Sequence, residues 1–153
     1  MTFDLVGRGG HMNLTMNTWT TLLDLAQQYG WEPMGTEVNL ARARANAQAA
    51  GEEFDPDDLY WRGSYLCAFG DIVGDQDAKN LAAALERFLS EYPTDEALVG
   101  RVWTVYVPDY YARGLKEVER RVGGKPNVVP PALDVTTIRQ LADFCKEGSF
   151  MIN

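Results

Sequence analysis

The sequence has a single histidine, His11, and two cysteines, Cys67 and Cys145. One imidazole and two distant thiols, neither in a CxxC pair, leave no set of ligands for a structural zinc. A histidine-dependent triad would have to run through His11, and no G-x-S-x-G elbow accompanies it. Bases are also scarce: 14 lysines and arginines stand against 22 aspartates and glutamates, a formal net charge of −8. The bases form no cluster, since Arg120–Arg121, their one adjacent pair, is flanked by Glu117 and Glu119. A phosphate backbone would be repelled, so nucleic-acid binding is not expected. No run of apolar residues approaches membrane-spanning length, and no signal peptide is read at the N-terminus.

What is present describes a folded domain. Hydrophobic residues make up 46% of the 153 and charged residues 24%, which fits one domain over 1–153 with its own core. Four tryptophans, seven tyrosines and six phenylalanines supply large apolar surfaces. Both cysteines sit in apolar runs, YLCAF and LADFCK, which suits reduced thiols in a cytoplasmic protein.

Periodicity then places the elements. Met12, Leu14 and Met16 alternate with polar residues as in a half-buried strand, with TFDLV at 2–6 as hairpin partner. Trp19, Leu22, Leu23 and Ala26 follow helical spacing, and Gly30 and Pro33 end that helix. The alanine-rich segment 37–50 predicts a partly exposed helix able to act as a flap. LYWRGSYLCAF suits a strand, with IVG at 72–74 returning. Ala78, Leu81, Leu85 and Phe88 define the clearest helix, 76–91. LVGRVWTVYV at 98–107 fits either a strand or a helix, and its side-chain types favour a strand. A helix through Tyr111, Leu115, Val118 and Val122 follows. Thr137 and Gln140 read as a capping box for a helix 137–147, before a final strand SFMI. Interspersed helices and hairpin-like strands predict an α+β fold with a small, mostly antiparallel sheet.

Two segments carry candidate chemistry. GEEFDPDDLYW holds Glu52, Glu53, Asp55, Asp57 and Asp58 beside Tyr60 and Trp61. An acidic loop next to aromatics suits a basic protein partner. CAFGDIVGDQDA holds Asp71, Asp75 and Asp77, which would be oxygen ligands for a cation if they converged. The calcium-loop spacing is absent. Each aspartate also has a structural use, in a turn at Gly70–Asp71, as a helix cap at Asp75 and in a first helical turn at Asp77. The GRGG at 7–10 lacks a Walker lysine and is read as a turn.

Three stretches, NLTMNTWTTLLDLAQQYGWEP, GSYLCAFGDIVGDQDAKNLAAALERFL and IRQLADFCKEGSFMI, together resemble a group of short uncharacterised bacterial proteins. The shared features are a first helix ending Tyr-Gly-Trp-x-Pro and a C-terminal Phe-Cys-x-x-Gly-x-Phe-x-Ile, met here by Tyr29, Gly30, Trp31, Pro33, Phe144, Cys145, Gly148, Phe150 and Ile152. Gly70–Asp71 and Ser149 depart from the group's pattern. On this resemblance 37–58 and 94–130 are insertions, and the setting is bacterial or phage; it implies no activity. The expectation is an acidic, non-enzymatic protein-binding module without a cofactor, of the immunity or inhibitor kind. The alternatives are a small carboxylate-dependent enzyme or metal-binding domain, and a nucleic-acid mimic.

Overall fold

A computed structural model describes residues 2–37, 40–53, 65–66, 68, 70–106 and 132–153. Among them the chain runs β1 (Thr2–Gly7), β2 (Gly10–Thr15), α1 (Met16–Gln28), α2 (Leu40–Ala49), β3 (Asp71–Val73), α3 (Asp75–Glu91), a 3₁₀ turn (Asp95–Leu98), α4 (Val135–Lys146) and β4 (Phe150–Ile152). The fold is α+β. Its four strands form one antiparallel sheet in the order β2-β1-β4-β3.

The register explains which face is buried. Leu5 lies opposite Met12 on one side and Ile152 on the other, and Ile152 lies opposite Asp71. Side chains alternate along a strand, so Phe3, Leu5, Leu14, Val73, Phe150 and Ile152 share the face that meets the helices, and all are buried. The opposite face shows Asp4, Val6, His11, Asn13, Ile72 and Met151, exposed or half-buried. Helix α3 packs against α1 and α4. Its stripe of Ala78, Leu81, Leu85 and Phe88 is fully buried, as its 3.6-residue spacing dictates.

Local chemistry sets the helix ends. Helix α1 starts at Met16 because the Thr15 side chain accepts the Thr18 N–H at 3.2 Å. Its C-terminus is closed by α3: the Arg87 guanidinium donates to the Tyr29 carbonyl at 2.9 and 2.7 Å. Helix α4 begins two residues before the predicted capping box. The cap is Asp134, whose carboxylate accepts the Thr137 N–H at 2.6 Å, and Asp95 accepts the Val135 N–H at 2.8 Å. At the other end Gly148 has φ +105°, and a Cβ there would lie 2.1 Å from Asp75 Oδ1.

The hydrogen bond from the Thr137 N–H, and then one from its side chain, hold the Asp134 carboxyl below its ordinary range. A depressed folded-state pKa gives stability that is complete above the unfolded value near pH ~3.9 and lost as pH falls through the lower folded value. Asp134→Ala is expected to cost about 1 kcal/mol. Urea midpoints at pH 7 and pH 3 test this: the gap between wild type and variant should shrink on acidification.

Two expectations change. Residues 98–106 form no strand. They lie alongside α1, tied by the Tyr106 N–H to the Thr20 carbonyl at 2.9 Å. Tyr65 and Leu66 are not in a strand either, and β3 pairs with β4. The rest of LYWRGSYLCAF apart from Ala68, and the predicted helix through Tyr111–Val122, lie outside the described residues. The alanine-rich segment does form a helix, and it is fastened to the sheet. Glu37 and Ile72 exchange two backbone bonds of 2.8 Å, and Arg42 donates to Asn153 Oδ1 at 2.5 Å. No helix among the described residues is long and apolar enough to cross a membrane.

Candidate functional site

The three aspartates of the CAFGDIVGDQDA stretch do not converge. Asp71 is fully buried on the core face of β3, rather than in a turn, and accepts from Thr36 Oγ1 at 3.5 Å. Asp75 is the first residue of α3 rather than its cap, is half-exposed and pairs with Lys79 at 3.0 Å. Asp77 is only 2% exposed and turned into the core. No group of three or more histidine, cysteine, aspartate or glutamate side chains is arranged to hold a metal ion among the described residues. Of the predicted partner surface, Glu52 and Glu53 are exposed after α2. Asp55, Asp57, Asp58, Tyr60 and Trp61 lie outside the described residues.

Asp77 is the centre of a buried polar node that the sequence reading missed. The Trp31 indole N–H donates to its Oδ1 at 2.9 Å, and the Tyr65 hydroxyl donates to its Oδ2. The same hydroxyl accepts the Gly35 N–H at 2.8 Å, while the Tyr65 carbonyl accepts the Trp19 indole N–H at 2.9 Å. Tyr106 closes the group edge-on to Tyr65, with ring centroids 6.2 Å apart. Burial first, and then the hydrogen bond to Asp77, push the Tyr65 phenol well above its ordinary pKa. Tyr65 also has φ +71°, costly for a bulky residue; the hydrogen bonds at both its ends hold it there. Cys145 is a free, buried thiol whose pKa burial raises far above the usual range, so it is not a nucleophile. The node is sealed from solvent. It holds α1, the 31–36 segment and α3 together.

An accessible groove lies elsewhere. It has a volume of about 850 Å³ and runs between β2 and α4. One wall is β2 itself, from His11 to Leu14, with Arg8 and Gly9 of the hairpin turn beside it. The other is the face of α4 that presents Thr137, Gln140, Asp143 and Glu147. The hairpin tip closes one end: a Cβ on Gly9 would meet the Phe144 carbonyl at 2.9 Å, so strand and helix touch only because Gly9 is a glycine. On the outer face the Asp4 carboxylate accepts from Asn13 Nδ2 at 2.5 Å and pairs with His11 Nε2 at 3.2 Å. These bonds, Asn13 first, hold the Asp4 pKa below its ordinary value. Asp143 and Glu147 are exposed, one helical turn apart, and neither has an ion-pair partner among the described residues. The chain matches no protein-family model, and no curated protein or solved structure is similar to it.

Proposed function

We propose that this protein is a non-enzymatic binding module for a basic protein partner, working as small immunity proteins and inhibitors do. The observation that supports this reading is the β2–α4 groove, whose helical wall offers the exposed carboxylates of Asp143 and Glu147, neither held in an ion pair among the described residues. A chain of net charge −8 also attracts a basic partner over distance and speeds encounter. A free thiol at Cys145 suits a reducing compartment, and the proposal places the protein in the bacterial cytoplasm.

The test is affinity capture from bacterial lysate at low and then moderate salt, read by mass spectrometry. Wild type and an Asp143→Lys/Glu147→Lys variant are run side by side. The expected result is a stoichiometric basic protein that salt weakens and the charge reversal releases. A blank capture, or equal retention by the variant, would overturn the proposal.

A further inference from the structure

The two edges of the sheet are treated differently. The outer edge of β3 is covered by Glu37, which bonds Ile72 in both directions. The outer edge of β2 has no such cover among the described residues. The backbone directions along that edge follow from two bonds: the Asp4 N–H donates to the Asn153 carbonyl, and the Asn153 N–H donates to the Asp4 carbonyl, both at 2.8 Å. Asp4 therefore spends its backbone groups on the β4 side. Asn13, directly opposite Asp4, does not exchange bonds with it. The N–H and C=O of Asn13, and of His11 two residues earlier, point outward from the sheet. The strand GHMNLT also contains none of the lysines, prolines or inward charges that usually blunt an edge.

This outward-facing edge is one wall of the groove, and the acidic face of α4 is the other. The geometry points to strand addition: an extended, lysine- or arginine-bearing segment of a partner protein pairs with His11 and Asn13 as a fifth strand. Main-chain bonds to the edge supply affinity, and alternate side chains are read by the helix wall. Side chains beside Met12 and Leu14 turn towards α4. A basic residue there lays its aliphatic stem over Met12 and brings its charge to Asp143 and Glu147. The inference rests on the protein-binding reading above and adds how the partner is held.

Asn13 allows a backbone test. Its N–H is outside the β1–β2 ladder, so Asn13→Pro removes an outward donor while leaving the sheet bonded. Asn13→Ala removes the same side-chain bond to Asp4 but keeps the N–H. The probe is a fluorescein-labelled seven-residue peptide of alternating lysine and threonine, with alternating glutamate and threonine as control. Binding to the full chain is followed by anisotropy at low salt. Asn13→Ala should bind the lysine peptide within twofold of wild type. Asn13→Pro and Asp143→Lys/Glu147→Lys should each weaken it at least tenfold, with melting temperatures near that of wild type for all three. The glutamate peptide should bind at least tenfold more weakly.

Equal binding by Asn13→Pro and Asn13→Ala would overturn strand addition. If the charge reversal still weakened binding, the acidic-groove reading would survive that result. No binding of the lysine peptide to wild type at millimolar concentration would also overturn strand addition, while the capture experiment would still decide the broader reading. A wild-type dimer in sedimentation that Asn13→Pro dissociates would assign the edge to a second copy of this chain, and would overturn the partner-segment proposal.

Discussion

Asp77→Ala should cost about 2–6 kcal/mol, the usual penalty when two buried donors are left without an acceptor. The Trp31 indole N–H and the Tyr65 hydroxyl would both lose their acceptor in a site where Trp31 is 2% and Tyr65 1% exposed. Each donor left unpaired in a buried site carries its own desolvation penalty. For a chain of this size each kcal/mol lowers the melting temperature by about 2–4 °C. The expected drop is therefore on the order of 10 °C. Asp77→Asn keeps the volume but leaves one acceptor oxygen for two donors, and should fall between alanine and wild type. Thermal and urea denaturation followed by circular dichroism measure both. A loss below about 1 kcal/mol for the alanine variant would remove the node from its central place.

The second large effect is at Phe88. It is fully buried and meets Tyr29 edge-on at 5.2 Å and Tyr92 stacked at 4.9 Å. The Arg101 guanidinium lies 4.9 Å from its ring centroid, and 5.1 and 5.4 Å from those of Tyr92 and Trp103. Arg101 also donates to Gln28 Oε1 at 3.0 Å, so one side chain ties the 99–106 segment to α1 and α3. Phe88→Ala should cost about 3–5 kcal/mol, through lost transfer energy and the cavity left behind. Arg101→Met keeps much of the stem packing and loses the cation–π contacts, for about 1 kcal/mol. The double variant should lose less than the sum, because Arg101 has less to stack on once Phe88 is gone. Strict additivity in urea titrations would show that the two sites are energetically independent.

Helices α1, α3 and α4 were legible because each has a broad apolar stripe at one period, as with Ala78, Leu81, Leu85 and Phe88, and α2 from its alanine content. The hairpin was legible from its alternation and its glycines. The segment 98–106 misled because valine, tryptophan and tyrosine favour strands by packing well against a half-buried surface. Here Trp103 and Tyr106 pack against helices and rings, and the segment gains its burial without a ladder. Asp77 was read as a carboxylate serving the helix dipole. The signal against that was its spacing: it lies four residues before Leu81 and eight before Leu85, on the buried stripe itself. Two tryptophan N–H groups with no place in solvent were a second hint that the core needed acceptors. The β2–α4 groove was not legible, because it joins residues 8–14 to residues 137–147. Their motifs, the GRGG turn and the Thr137–Gln140 pair, read as local structure, and only the fold brings the two stretches together. The acidic pair Asp143 and Glu147 looked like ordinary helix surface.

The sheet order also sets a timetable. Strand β4 sits between β1 and β3 and bonds to both. During synthesis the β1–β2 hairpin emerges first, with Phe3 and Leu5 on a face awaiting its helices and the β4 side of β1 unpaired. Among the described residues that precede it, strand β3 pairs with Glu37 alone. Among the described residues, only β4, residues 150–152, joins these two parts of the sheet. The sheet therefore closes as a late, non-local event. Until β4 pairs with it, the chain carries an open edge on β1 that the described fold does not have.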